Sequence, residues 1–120
     1  MTSISRSRRV SPLKEACSLC RSRHYVAAAA MAKLAVDHAA SDLALQVRPD
    51  LKRFWNGKRL NGFLRSEGAI DGKRAAELSA FAMRAYQLMN EPTGRPLDVQ
   101  QLIVRAADLR RRLREIQRGM

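Results

Sequence analysis

The sequence PLKEACSLCRSRHYVAAAAMAKLAVDHAASDLALQV, residues 12–47, decides the fold, because after Pro12 it contains neither glycine nor proline. Ser11 is a good N-cap, and proline suits the first helical position. Glu15 is in the first turn, where the positive end of a helix attracts acids. The sequence therefore predicts one helix from about residue 12 to residue 47. That length is unusual in a globular domain, so a break near residues 20–24 is also compatible with the pattern.

Small and apolar side chains in this stretch recur mostly at steps of three and four residues, which places them on one face of a helix. The predicted contact face consists of Leu13, Cys17, Cys20, His24, Ala27, Met31, Leu34, His38 and Leu45. The alanine run at 27–30 is a good helix former and is small enough for a neighbouring helix to pack closely. We expect the two histidines to be partly buried and hydrogen-bonded rather than catalytic.

Two short helices separated by a corner are predicted next in the chain. Asp50 is a suitable N-cap for the first of them. The dipeptide Asn56-Gly57 interrupts the register and marks a tight turn. Apolar spacing resumes at Leu60, and the second short helix is expected to end near Gly68.

The C-terminal half predicts two longer helices joined by a loop. Asp71 is expected to cap a helix that extends to about Asn90, and NEPTGRP at 90–96 is a loop because it combines two prolines with a glycine. The last helix, residues 97–118, has a/d heptad spacing. Its heptad positions are Val99, Leu102, Ala106, Leu109, Leu113, Ile116 and Met120.

Composition agrees with these patterns. Aromatic residues make up only 5% of the chain and alanine is abundant, which is typical of helices rather than sheets. We therefore expect an all-α protein, a small helical bundle of four to five helices, with two long helices and a heptad-patterned C-terminal helix. Residues 1–11 are expected to form a disordered basic arm, and residues 12–120 a single domain with room for a core.

No stretch reaches the roughly 18 unbroken apolar residues of a membrane span. The N-terminus also lacks the apolar segment of a secretory signal. We therefore expect a cytoplasmic protein with reduced thiols and no membrane span. A homodimer that forms through the first or the terminal helix is compatible with the heptad pattern.

Net charge is the strongest signal of function. The chain has 23 basic and 11 acidic residues, a net charge of +12. Such a surplus implies a polyanionic partner, which is nucleic acid, an anionic membrane or an acidic protein. The surplus is concentrated in residues 1–24, 48–74 and 99–120, and the segments between them are nearly neutral.

The segment DLKRFWNGKRLNGFLR, residues 50–65, interleaves bases with Phe54, Trp55 and Phe63, as nucleic-acid surfaces do. Two short helices around a corner also resemble a helix-turn-helix, whose second helix would present Lys58, Arg59, Asn61 and Arg65 to a groove. The alternative is that the aromatic side chains form core and the bases are merely solvated. The candidate nucleic-acid-binding residues here are Arg48, Lys52, Arg53, Lys58, Arg59 and Arg65.

The terminal helix ends in RRRLREIQR, residues 110–118. Its arginines are opposed only by Glu115 in that stretch, so they repel one another unless an anion lies opposite. A solvated charged face is the alternative. The candidate nucleic-acid-binding residues here are Arg105, Arg110, Arg111, Arg112, Arg114 and Arg118.

The stretch CSLCRSRH, residues 17–24, contains two cysteines three residues apart and a histidine, a combination that also occurs in metal and redox sites. Haem attachment would need histidine directly after the second cysteine, where Arg21 stands. On one straight helix, His24 lies about 10 Å from Cys17 and His38 about 21 Å further, too far apart for one zinc ion. We therefore interpret the two cysteines as small residues of a helix seam, and we predict neither a metal nor a cofactor.

The sequence contains no glycine-rich phosphate loop and no nucleophile motif. We therefore predict a non-catalytic basic helical protein, not an enzyme, which binds nucleic acid or a nucleoprotein assembly through its arginine-rich surfaces. The alternative is a helical adaptor or inhibitor that binds another protein and modulates it, or a small subunit of a larger complex.

Overall fold

The computed structural model describes residues 11–51, 57–90 and 95–120. These residues form five helices and no strand, so the predicted all-α bundle is confirmed. The helices are α1 (Pro12–Arg21), α2 (Tyr25–Val47), α3 (Gly57–Ser66), α4 (Gly72–Asn90) and α5 (Pro96–Arg118). Three predicted segments lie mostly outside the described residues. Only Ser11 of the predicted arm is described, residues 52–56 of the first short helix are not, and residues 91–94 of the predicted loop are not.

Helix α2 is the centre of the bundle, because it contacts all four other described helices. Its buried side chains are small, and most of them are alanine. They are Ala28, Ala29, Ala32, Ala35, Val36, Ala39, Ala40, Ser41, Leu43 and Ala44. The distance between two packed helices is set by the side chains at their contact, so these alanines let the neighbours approach the α2 backbone closely. The predicted close packing at residues 27–30 is confirmed at Ala28 and Ala29.

The contact face predicted across residues 12–47 is right for α1 and wrong for most of α2. Cys20 is buried and Cys17 is half-buried. In contrast, five residues that were predicted to belong to the contact face have exposed side chains. They are His24, Ala27, Leu34, His38 and Leu45. The expectation that the two histidines are partly buried is therefore wrong. The physical reason is that α1 and α2 are separate helices, so a register drawn through the turn between them does not hold.

The turn between α1 and α2 is a Schellman motif. The N–H of Arg23 donates to the carbonyl of Cys20 (3.1 Å), and the N–H of His24 donates to that of Leu19 (2.8 Å). Arg23 has φ +65°, a left-handed conformation that costs an L-residue about 1–2 kcal/mol. The single helix predicted over residues 12–47 is therefore wrong, and the break near residues 20–24 that the pattern also allowed is what the structure shows. The turn after α3 has the same hydrogen-bond pattern, with Gly68 in the left-handed position.

Helices α4 and α5 are antiparallel neighbours. Arg84, late in α4, lies 3.6 Å from Asp98 at the start of α5, whereas Glu77, early in α4, lies 3.5 Å from Arg105. Asp71 caps α4 as predicted, because its Oδ1 accepts a hydrogen bond from the backbone N–H of Arg74 (2.8 Å).

Helix α4 is also antiparallel to α2. The Nζ atom of Lys33 lies 5.0 Å from the ring centre of Tyr86, and Ala40, later in α2, lines the same groove as Leu78, earlier in α4. Helices α2 and α5 therefore run in the same direction. Their C-terminal ends and the start of α4 lie at one end of the bundle.

The heptad of the terminal helix is confirmed over most of its length. Val99, Leu102, Ala106, Leu109 and Leu113 are all buried. The pattern fails at its end, because Ile116 is half-buried and Met120 is 58% exposed. The heptad pattern also does not include Ile103, which is buried on the side of α5 that faces α1.

The predicted short helices have different outcomes. Asp50 lies in a turn and Leu51 is not helical, so the described residues show no helix beginning at Asp50. The second short helix, α3, ends at Ser66, close to the predicted end. None of the helices in the described parts of the chain combines the length and apolar character that a membrane-crossing helix needs.

The burial pattern of α2 predicts unequal effects of the same substitution at two neighbouring alanines. We expect Ala28→Leu to lower the free energy of unfolding by about 1–3 kcal/mol, because Ala28 is fully buried and the added methylenes must displace a neighbouring helix. Ala27→Leu should change it by less than about 0.5 kcal/mol, since Ala27 is exposed. Urea unfolding of both variants checks this, and equal effects would contradict the assigned face.

The left-handed residue between α1 and α2 predicts a stabilising substitution. Arg23→Gly removes the steric cost of φ +65°, and part of the gain is offset by the greater freedom of glycine in the unfolded chain. We expect a net gain of about 0.5–1 kcal/mol in thermal or urea unfolding. Arg21→Gly is the control in the last helical turn and should instead cost about 1 kcal/mol.

Candidate nucleic-acid interface

The arginines of α5 lie around one open depression on the surface. Arg110, Arg111, Arg114 and Arg118 line it together with Gln117, and we call this the α5 arginine face. Residues separated by four or eight positions share one side of a helix, which explains why three of these arginines are aligned. The buried heptad side chains, above all Leu109 and Leu113, hold the opposite side of α5 in the core. The core therefore fixes the direction in which the arginines point.

Two acids of α5 already neutralise part of this charge. The two carboxylate oxygens of Asp108 accept hydrogen bonds from Arg111 (2.8 Å) and Arg112 (3.1 Å), and Glu115 accepts one from Arg111 (2.8 Å). The hydrogen bond from Arg111 is the largest influence that holds the pKa of Asp108 below its ordinary value. Glu115 is the only acid within residues 110–118, but Asp108 lies just before that stretch and also opposes its arginines, so their mutual repulsion is smaller than the stretch alone indicates.

A third acid reaches the α5 arginine face from α2. Arg114 Nη1 donates to Asp42 Oδ2 (2.6 Å) and to Gln117 Oε1 (3.1 Å). These bonds join α2 to α5 and hold the guanidinium of Arg114 in one position. Sequence reasoning missed Asp42, since no local pattern connects two residues so far apart in the chain. Asp108 could have been found, because it precedes its partners by three and four positions.

Arg110 and Arg118 are different from the other arginines of this face. Within the described parts of the chain, neither makes an ion pair with a carboxylate. They lie two helical turns apart, on either side of Arg114. Their charges are the part of the face that the described residues leave without compensation.

Arg48 lies at the same end of the bundle, directly after α2. Its guanidinium contacts Asp50 (3.1 Å) and lies 3.8 Å from Glu67. The hydrogen bond from Arg48 is the main influence that lowers the pKa of Asp50. Arg48 is thus half-exposed and shared between two acids.

The remaining candidates do not join this surface. Lys58, Arg59 and Arg65 are exposed on α3, which makes no contact with α5. Arg105 contacts Glu77 of α4 (3.5 Å). Lys52 and Arg53 lie outside the described residues. The described candidates are thus separated into the α5 arginine face, the exposed bases of α3, and Arg48, Arg105 and Arg112, which pair with nearby acids.

Asn61 does not have the position that a recognition helix would give it. Its Nδ2 donates to the carbonyl of Ala75 (2.9 Å) and to Ser79 Oγ (2.8 Å), so the side chain connects α3 to α4. The predicted presentation of Asn61 to a groove of nucleic acid is therefore wrong. Phe63 packs against the core, in agreement with the alternative interpretation of the aromatics, whereas Phe54 and Trp55 lie outside the described residues.

The two cysteines form part of the seam between α1 and α5. Both are free thiols, and with Arg21 they line a small cleft of about 220 Å³ against Ile103 and Val104. The interpretation of the cysteines as seam residues is confirmed. Searched over the described residues, the protein brings no three cysteine, histidine or acidic side chains together in a manner that could hold a metal ion.

The lowered pKa of Asp108 predicts a specific pH dependence of stability. A carboxylate with a folded-state pKa below its ordinary value of about 3.9 stabilises the fold above that pH, and the contribution is lost as the pH falls through the folded-state value. We expect Asp108→Asn to lose less unfolding free energy than the wild type between neutral and strongly acidic pH. Arg111→Gln should likewise reduce the loss of unfolding free energy over this acidic pH range. Urea unfolding measures the free energy of all three proteins as a function of pH, and parallel curves would contradict the assignment.

Comparisons with known proteins do not name a family for this chain. No protein-family model matches it, and no curated protein and no solved structure matches it either. The arrangement of its charged side chains is what carries the functional inference.

Proposed function

We propose that this protein binds nucleic acid without catalysis, through contacts between phosphates and the α5 arginine face. The observation that carries the proposal is the open depression lined by Arg110, Arg111, Arg114 and Arg118. The planar guanidinium donates in a fork that suits phosphate oxygens, and its charge is always present. The net charge of +12 would concentrate any polyanion around the protein and speed its association.

The geometry favours contacts with the nucleic-acid backbone over contacts with bases. Residues four apart on a helix are separated by about 6 Å along its axis, so Arg110, Arg114 and Arg118 form a row about 12 Å long. The other side of α5 is buried, and a helix packed in this way presents only one edge to a groove. Contacts from such a row position a protein on the phosphates and carry little sequence information.

The acids near the face set the expected strength of binding. Asp42, Asp108 and Glu115 compete with phosphate for Arg111 and Arg114. A guanidinium has five N–H donors, so a paired arginine can still donate to a phosphate oxygen. We therefore expect binding that depends on few phosphates, with Arg110 and Arg118 contributing most.

The proposal predicts a loss of affinity that depends on location and not on total charge. In Arg110→Gln/Arg118→Gln, the affinity for a labelled oligonucleotide should fall, and the slope of log affinity against log salt should decrease by about two, one for each phosphate contact removed. The matched control is Arg21→Gln/Arg23→Gln, which removes the same charge from two exposed arginines at the end of α1 and in the turn after it, neither of which pairs with a carboxylate among the described residues. Fluorescence anisotropy over about 50–200 mM salt measures both.

Equal losses in the two double variants would mean that only bulk charge matters, and would overturn the assigned face. Affinity that is independent of salt, or no binding at the lowest salt concentration, would overturn nucleic-acid binding itself. A variant that is expected to bind nucleic acid more tightly provides a second check. Asp42→Asn removes the carboxylate that holds Arg114, so it should strengthen binding while the fold is retained.

A further inference from the structure

A groove separate from the α5 arginine face lies between α2, α3 and α4. Its volume is about 520 Å³, within the range of about 300–1,000 Å³ that is typical of small-molecule sites. Its apolar lining includes Val36, Leu78, Phe81 and Ala82. Met83 also contributes to the lining and is 66% exposed, so an apolar side chain at the groove is left in water.

One of the two lysines of this groove is neutralised within the protein. Lys33 Nζ donates to Asp37 Oδ2 (2.6 Å) and lies over the ring of Tyr86. Burial acts to lower the pKa of Lys33, but the hydrogen bond and charge of Asp37 hold it above its ordinary value. Lys33 and Asp37 therefore form a charge-compensated pair at one side of the groove.

The second lysine is not neutralised in this way. Lys58 is exposed at the first turn of α3, and within the described parts of the chain no carboxylate pairs with it. Two ammonium groups and one carboxylate thus line the groove, and the uncompensated charge is that of Lys58. Apolar lining next to a single uncompensated cation is complementary to a molecule that has an apolar body and one negative charge.

We infer that this groove binds a small amphipathic monoanion, a carboxylate with an apolar chain or ring. Its carboxylate would pair with Lys58, and its apolar part would cover Leu78, Phe81 and Met83. A neutral apolar molecule would leave Lys58 unpaired, and a cation would be repelled by it. None of the residues of the α5 arginine face lines this groove, so a ligand can bind here whether or not the protein binds nucleic acid.

Decanoate is a suitable probe, and calorimetric titration of the full chain tests the site. We expect one decanoate per chain, with affinity reduced about tenfold in Lys58→Gln, because a hydrogen bond to a charged group is lost. Lys73→Gln is the matched control, since Lys73 is exposed on α4 and does not line the groove. Decanol, which has the same chain without the charge, should bind the wild type more weakly than decanoate.

A second pair of variants tests the apolar part. Ala82→Phe fills the groove and should abolish binding, whereas Ala76→Phe places the same side chain on an exposed position of the same helix and should not. Lys58→Gln changes only an exposed side chain, so the charge test remains valid if Ala82→Phe fails to fold. No binding of decanoate, equal losses in both lysine variants, or a concentration-dependent dimer that closes the groove would overturn the proposal.

Discussion

The close packing of four helices around α2 is the constraint on which the rest of the structure depends. Fully buried alanines such as Ala28, Ala32 and Ala39 leave almost no side chain between α2 and its neighbours. This arrangement tolerates little change in volume, because protein interiors are packed as densely as organic crystals. Large side chains enter the core mainly from the other helices, as Leu64 of α3 and Leu109 of α5 do.

The same packing determines where the charges lie. Since α2 and α5 run in the same direction, Asp42 and Arg114 meet near their C-terminal ends, where the carbonyl ends of helices favour positive charge. Arg48 and Arg118 follow at the ends of the two helices. Cationic side chains are therefore placed where the helix dipoles favour them, and the acids nearby reduce the repulsion among them.

The sequence predicted the elements of the fold better than their faces. The buried face of α5 was predictable because this helix is buried on one side only. The heptad spacing of Leu102, Leu109 and Leu113 therefore coincides with the buried face. Helix α2 was not, because it is buried by partners on several sides, so nearly every spacing pattern has apolar members. Arg23 added to the error, since a left-handed turn without glycine carries no clear signal in the sequence.

In the candidate site, too, contacts within one helix were predictable from the sequence and contacts between helices were not. Pairs within one helix, such as Asp108 with Arg111, follow from helical spacing alone. The contact between Asp42 and Arg114 depends on the direction of two helices that are distant in the sequence, and the connection of Asn61 to α4 depends on how α3 packs. Sequence patterns give charge and periodicity, but tertiary packing decides which charges are compensated.

A fold with this much positive charge is stabilised by whatever compensates it. Exposed ion pairs such as those of Arg111 contribute little individually. The uncompensated guanidiniums of Arg110 and Arg118 repel their neighbours in the folded state more than in an expanded chain. A polyanion bound at the α5 arginine face, as proposed above, would remove that repulsion, and a ligand that binds the folded state alone also raises its stability by mass action. The charge that weakens the free protein is thus the charge that would make its stability respond to a bound partner.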